Sequence, residues 1–317
     1  MMRTMHVTPL LLVMAALGAC APRHGGEPAL QPTELWAPLP YRYVDIQGVT
    51  VAYVDSGGEG EPLLLVHGLS SYTGFWELQV PAFTAQGHRV IALDLPGYGA
   101  SDRPDAPCDP PWYAGVVSDF MDTLGLEQAT IVGHSMGGQI ALTLALDQPD
   151  RVRRLVLSAP AGFERFTAGE RDWMRSYWHE KRALEADEDA VRANFAMNFA
   201  RWDEGVERLV AERVRMAGTA EFRGTSVAVA RSITGMLDHP VLDRLDEVRA
   251  PTLIVFGRDD RLIPNPVFHG GSTAAFGRAA QRAIPGAELA LISGAGHMVH
   301  HDRPDAFNAI VLDWLKR

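Results

Sequence analysis

Six short apolar runs, each bounded by Gly or Pro, are the feature that most constrains the fold of this 317-residue chain. The runs are PLLLVHG from Pro62, RVIALDLPG from Arg89, ATIVGHS from Ala129, RLVLSAP from Arg154, PTLIVFG from Pro251 and ELALISG from Glu288. Runs of this length are typical of strands buried on both faces of a sheet. Helix-like segments separate most of them, so the sequence predicts an α/β fold with a mainly parallel central β-sheet flanked by helices.

The alternation of strand and helix is interrupted once, by residues 163–248. This interval is charged and helix-prone, and it contains no convincing strand. We interpret it as a helical cap inserted between two parts of the core, residues 41–162 and 249–317. Its aromatic residues and methionines are expected to pack within the protein more often than to line a pocket. They are Trp173, Met174, Trp178, Phe195, Met197, Phe199, Trp202, Met216 and Met236.

The charge balance excludes some partners. The chain has 39 acidic and 29 basic residues, a formal charge of −10, which argues against a general electrostatic grip on nucleic acid or anionic lipid. The sequence contains neither a dinucleotide-binding fingerprint nor a credible set of metal ligands, so no cofactor and no metal are expected. The oligomeric state is left open.

The first forty residues differ from the rest. Arg3 precedes an apolar stretch, VTPLLLVMAAL, that is too short to span a bilayer and is typical of a secretory signal. The following Leu17-Gly18-Ala19-Cys20 resembles the bacterial lipobox, which implies a signal peptide at 1–19 and a lipid-carrying Cys20. Residues 20–40 would then be a proline-rich tether that holds an exported lipoprotein at a membrane, on its periplasmic side or in the outer membrane. An ordinary cleaved signal is the alternative.

The segment TIVGHSMGGQIALTLALD places Ser135 between a β-branched strand and a helix that begins at Met136. An N-cap serine is the simplest interpretation of such a position. However, Gly133-His134-Ser135-Met136-Gly137 also matches the pattern G-x-S-x-G, in which glycines allow a sharp turn that exposes a nucleophilic hydroxyl. The strand before the motif and the helix after it favour the second interpretation.

From about Tyr41 to the C-terminus the chain resembles the α/β-hydrolase superfamily, whose order of catalytic residues is nucleophile, acid, histidine. Gly257-Arg258-Asp259-Asp260 ends a predicted strand after Ser135, and Gly294-Ala295-Gly296-His297 follows the next strand. The resemblance implies a triad of Ser135, Asp260 and His297, with Asp259 as the alternative acid. A histidine suits this role because its ordinary pKa lies near neutrality.

The same resemblance implies an oxyanion hole. The segment His67-Gly68-Leu69 corresponds to the family's oxyanion loop, so the backbone N–H groups of Leu69 and Met136 are expected to bind the developing negative charge. We expect the imidazole of His67 to brace this loop. Three adjacent residues, His300, His301 and Asp302, do not have metal-ligand spacing and are interpreted as a polar rim.

The sequence therefore predicts a serine hydrolase that cleaves carboxylic esters, with a small and apolar acyl ester as substrate. A carbon–carbon bond hydrolase of the meta-cleavage type and a cofactor-free perhydrolase use the same triad, so both are alternatives. A non-catalytic binding protein that keeps the cleft is the alternative from another class.

Overall fold

A computed structural model describes residues 29–179 and 187–317 of the chain. Eight strands form one sheet in the order β1-β2-β4-β3-β5-β6-β7-β8, and pairing is parallel from β4 through β8, whereas β1 and β2 are antiparallel to their neighbours. The predicted mainly parallel sheet is confirmed. The strands are Arg42–Ile46, Val49–Asp55, Pro62–Val66, Arg89–Leu93, Ala129–His134, Val152–Ser158, Thr252–Gly257 and Glu288–Ile292, numbered β1 to β8.

Alternation within the central strands builds a core on each face of the sheet. In β3, Leu64 and Val66 belong to one buried cluster, whereas Leu63 and Leu65 belong to another on the opposite face. Successive side chains of a strand point to opposite faces, so a continuous apolar run is what a strand covered on both sides requires.

Helices cover both faces. The helices of the core are α1 (Val80–Thr84), α2 (Pro110–Thr123), α3 (Met136–Asp147), α8 (Thr273–Ala283), α9 (Val299–Asp302) and α10 (Pro304–Leu315). Residues of α2, α3 and α8 pack into the first cluster, and residues of α1 and α10 pack into the second.

Among the residues that the structure describes, four α-helices lie between β6 and β7, in the interval that the sequence assigns to a cap. They are α4 (Ala168–Tyr177), α5 (Glu188–Asn198), α6 (Glu204–Met216) and α7 (Phe222–Asp238). Residues of α5 and α6, including Phe195 and Val210, form a third buried cluster together with residues from outside the cap, such as Phe75 and Met298. This cluster packs α5 and α6 against the core, and residues of α7 such as Ile233 pack into the first cluster.

The segment before β1 differs from the prediction. Composition predicts an extended tether over residues 20–40, yet Leu30 and Leu35 are buried in the third cluster, and Leu30 N–H donates to the carbonyl oxygen of Arg215 in α6. The prolines led us to predict an open chain, but the two leucines are buried because they pack against apolar side chains of the cap helices. Cys20 and the predicted signal peptide lie outside the described residues. Within residues 29–179 and 187–317, no helix has the length and apolar character needed to cross a membrane.

Candidate active site

Ser135 occupies a strained turn at the carboxyl end of β5. Its backbone has φ 51° and ψ −115°, a positive-φ conformation that is uncommon for a residue with a Cβ atom. The Ser135 N–H donates to the carbonyl oxygen of Ser158 at 3.0 Å, and α3 begins at the next residue. The Ser135 side chain does not cap the helix, so the N-cap interpretation of this serine is not what the structure shows. Strain of this kind, which costs about 1–3 kcal/mol, is concentrated at functional sites.

Two glycines make this turn possible. A Cβ atom on Gly133 would lie 2.4 Å from the carbonyl oxygen of Gly137, and one on Gly137 would lie 2.2 Å from that of Val66. Real Cβ atoms do not approach backbone oxygens so closely. The pattern G-x-S-x-G is therefore a packing requirement here, since β3, the turn and α3 touch through their backbones.

The structure brings His297 and Asp260 together. The Nδ1 atom of His297 lies 3.0 Å from Oδ2 of Asp260, and both side chains are almost completely buried. Oδ1 of the same carboxylate accepts hydrogen bonds from the N–H groups of Leu262 and Ile263 at 2.8 and 3.0 Å. Asp259, the alternative acid, is exposed to solvent. With Nδ1–H donating to Asp260, the Nε2 atom of His297 is the nitrogen left to accept a proton.

Ser135 and His297 line the same cavity, which has a volume of about 490 Å³. Leu69 also lines it, as do Met174, Trp178 and Met236 from the predicted cap. Of the other aromatic residues and methionines singled out there, Phe195, Phe199 and Met216 are buried in the third cluster, whereas Trp173, Met197 and Trp202 are exposed. A cavity of this size suits a small organic substrate.

Leu69 and Met136 carry the two expected oxyanion donors. Met136 directly follows Ser135, and the loop that carries Leu69 lies close to Ser135 in space. Met136 is the first residue of α3, and a Cβ on Gly68, just before Leu69, would lie 3.1 Å from the Cβ of Ser135. Neither the Leu69 nor the Met136 N–H has a hydrogen-bond partner within residues 29–179 and 187–317. Leu69 also lines the same cavity as Ser135. The oxyanion hole stays a prediction.

His67 holds the loop that carries Leu69. Its Nε2 accepts a hydrogen bond from the N–H of Leu95 at 3.0 Å, which leaves Nδ1–H to donate to the carbonyl oxygen of Gly68 at 2.8 Å. Burial lowers the pKa of His67, so the neutral imidazole that this arrangement needs is favoured.

The predicted polar rim of His300, His301 and Asp302 is wrong, because all three side chains are buried. His300 stacks on Trp76 with ring centroids 4.4 Å apart, and His301 faces Glu77 with 3.3 Å between Nε2 and Oε1. Burial holds the pKa of His300 well below its ordinary value. Within the described part of the chain, no group of three His, Cys, Asp or Glu residues could hold a metal ion.

Asp302 has a role that the sequence did not indicate. Its Oδ2 accepts from the N–H groups of Gly296 and Ala200 at 2.7 and 2.9 Å, and its Oδ1 accepts from Arg201 at 3.0 Å. Gly296 directly precedes His297, whereas Ala200 and Arg201 follow α5. One buried carboxylate therefore fastens the loop of His297 to the cap helices.

Another buried histidine touches the same loop. Nε2 of His134 lies 3.2 Å from the carbonyl oxygen of His297, and the two rings are 4.9 Å apart. Burial holds the pKa of His134 well below its ordinary value, and the neighbouring histidines lower it further. His134 is thus a neutral packing group beside the site.

Comparison with known proteins agrees with this geometry. The model of the α/β hydrolase fold family matches residues 61–304. This chain belongs to the α/β-hydrolase family.

Relatives of this α/β hydrolase have several activities in their names. It is 30% identical to a dihydrolipoyllysine-residue acetyltransferase component of the acetoin cleaving system of Cupriavidus necator, over 95% of this chain and 79% of that protein. It is also 30% identical to a 2-hydroxy-6-oxononadienedioate/2-hydroxy-6-oxononatrienedioate hydrolase of Paraburkholderia phymatum, over 86% of this chain and 95% of the relative. Among solved structures, a probable hydrolytic enzyme from Pseudomonas aeruginosa PAO1 superimposes with a TM-score of 0.80 at 27% identity, covering 90% and 98% of the two chains.

Proposed function

We propose that this α/β hydrolase cleaves carboxylic esters through a covalent acyl-enzyme on Ser135. The observation that carries the proposal is the His297–Asp260 contact of 3.0 Å in a cavity that Ser135 also lines, with Ser135 on a strained turn. A serine hydroxyl is a weak nucleophile, so it needs an imidazole of fixed orientation to take its proton.

The acylation step uses each of these groups once. The Ser135 oxygen attacks the ester carbonyl carbon while Nε2 of His297 takes the serine proton, and the carboxylate of Asp260 stabilises the imidazolium that forms. The carbonyl oxygen becomes an oxyanion that accepts hydrogen bonds from the N–H groups of Leu69 and Met136. When the intermediate collapses, the bond to the alcohol oxygen breaks and His297 donates its proton to that oxygen.

Deacylation repeats the cycle with water. Nε2 of His297 takes a proton from a water molecule as the water oxygen attacks the acyl carbon, and the imidazolium then returns the proton to Ser135. The products are a carboxylic acid and the free enzyme. Apolar residues such as Met174, Val229 and Ile233 line the cavity and would contact an apolar acyl or alcohol group.

A carbon–carbon bond hydrolase is the second candidate, because the Paraburkholderia phymatum relative is named as a hydrolase of 2-hydroxy-6-oxononadienedioate, a substrate of the meta-cleavage type. The same triad can serve both reactions, but the leaving group differs. In carbon–carbon cleavage the proton must go to a carbon atom rather than to an alcohol oxygen. A substrate of the 2-hydroxy-6-oxodienoate type, followed by loss of its dienolate absorbance, tests this reaction.

The deciding experiment measures p-nitrophenyl ester hydrolysis by the purified protein, with acyl groups from acetyl to palmitoyl. Ser135→Ala should lower the rate by about 10³-fold or more, as expected for a triad nucleophile. Ser176→Ala, which changes an exposed serine on α4, is the matched control. Activity on the dienoate but on no ester would replace the ester proposal by carbon–carbon cleavage.

A further inference from the structure

A second carboxylate lines the cavity but is not part of the triad. Glu164 lies after β6, its side chain is only 12% exposed, and it shares the cavity wall with apolar residues such as Phe166, Leu262 and Ile263. Charged groups in such surroundings need hydrogen-bond partners to replace lost water. The mechanism above gives Glu164 nothing to do.

Oε1 of Glu164 has two neighbouring groups that can donate a hydrogen bond to it. Oε1 accepts from the N–H of Asn265 at 2.6 Å and lies 2.6 Å from Nδ1 of His269. The side chain of Asn265 in turn accepts from the N–H groups of Val267 and Phe268 at 3.0 and 3.3 Å, so the loop that supplies these donors is itself fixed. The carboxylate therefore has a defined position.

The other oxygen is different. Both donors converge on Oε1, and Oε2 of Glu164 has no hydrogen-bond partner within residues 29–179 and 187–317. Burial raises the pKa of Glu164 above its ordinary value although Asn265 and His269 lower it. An acceptor oxygen in the wall of a substrate cavity is thus left for a ligand to satisfy.

We propose that Oε2 of Glu164 binds a hydrogen-bond donor on the substrate, a hydroxyl, amide N–H or ammonium group at a distance from the bond that is cleaved. The inference rests on the proposed function, since it names the class of ester. The substrate is then an apolar chain with a donor group, not a plain hydrocarbon chain, because a hydrocarbon would bury Oε2 without a partner.

Two arginines in the cavity wall suggest a different occupant, an anionic group. Arg165 already pairs with Asp243, and Nη1 of Arg171 donates to the carbonyl oxygen of Phe166 at 2.8 Å. Their donors are at least partly used within the protein, whereas Oε2 of Glu164 is not. The observations therefore favour a donor over an anion.

The experiment compares ethyl esters with acyl chains of four to ten carbons that end in methyl, hydroxyl, ammonium or carboxylate. Dissociation constants are measured by calorimetry on Ser135→Ala, which binds each ester without consuming it, and kcat/KM is measured on the wild type. At one chain length the hydroxyl and ammonium esters should bind about tenfold to a hundredfold more tightly than the methyl-ended ester. Glu164→Gln in the Ser135→Ala protein puts a donor in place of Oε2 and should abolish the ammonium preference.

Glu247→Gln, which removes one negative charge from an exposed side chain, is the matched control and should keep the preference. Methyl-ended esters that bind as tightly as the others at every length, or no ester binding at all, would overturn the proposal. Tighter binding of the carboxylate ester would also overturn it and assign the polar part of the wall to Arg165 and Arg171. If the wild type hydrolyses no ester but the donor preference is present and depends on Glu164, the ester proposal fails while the Glu164 subsite stands.

Discussion

Asp302 should be the most sensitive buried side chain outside the triad. Asp302→Asn leaves one acceptor oxygen where two oxygens accept from Gly296, Ala200 and Arg201 at 2.7, 2.9 and 3.0 Å. The new amide also turns N–H groups toward at least one of these donors. Losing one charge-assisted hydrogen bond and leaving a buried N–H without a partner should lower the free energy of unfolding by about 3 kcal/mol.

Urea-induced unfolding followed by tryptophan fluorescence measures this loss, and Asp305→Asn, an exposed aspartate in α10, is the matched control. Because Gly296 precedes His297, kcat on p-nitrophenyl esters should also fall for Asp302→Asn under conditions in which the protein stays folded. If the free energy of unfolding of Asp302→Asn lies within about 0.5 kcal/mol of the wild-type value, the reasoning is refuted, because substitution of an exposed aspartate changes stability by no more than that. If stability falls but kcat is unchanged, only the proposed effect on His297 is refuted, and the stability argument stands.

Three further outcomes are expected. Asp260→Asn should lower kcat by about 10⁴-fold, because the wrong tautomer of His297 is favoured, whereas Asp259→Asn should change it little; steady-state kinetics measures both. Burial lowers the pKa of His300, so the unfolded chain takes up its proton first as pH falls below about 6.5, and stability is lost there. The free energy of unfolding, measured in urea at about pH 7.5 and pH 5, should therefore fall less between the two pH values for His300→Phe than for the wild type. The difference should reach up to about 1.4 kcal/mol per pH unit. We also propose lipidation of Cys20, and mass spectrometry of the exported protein should find a mature chain that begins at a diacylglycerol-modified Cys20; an unmodified, freely released chain would contradict this.

Local sequence patterns were enough to predict the parallel sheet and the turn at Ser135. Each central strand is a short apolar run, and each face of the sheet takes alternate residues of it, so the pattern needs no knowledge of distant parts of the chain. The close backbone approaches at Gly133 and Gly137 are likewise encoded within one short motif. In parallel strands the carboxyl ends meet at one edge, which is why Ser135, Asp260 and His297 can be grouped from their places after successive strands.

Contacts between segments that are distant in the chain could not be predicted from local sequence patterns. His300 and Asp302 are polar residues in a row, and nothing in their spacing indicates that Trp76 and Ala200 would bury them. The same holds for Leu30 and Leu35, whose proline-rich surroundings favoured an open tether. Composition describes what a segment does when isolated, whereas burial depends on which surface the rest of the fold brings to it.

The cap shows why that difference matters for function. Met174, Trp178 and Met236 have the same helical spacing as apolar residues that merely pack, yet these three line the cavity. Glu164 gave no sequence signal at all, because a single acidic residue before a helix is ordinary on a protein surface. Its meaning arises only when Asn265 and His269 approach it from a loop about a hundred residues later and occupy one of its two oxygens. In this hydrolase the residues that would carry out the chemistry follow from strand order, but those that would choose the substrate follow from contacts across the fold.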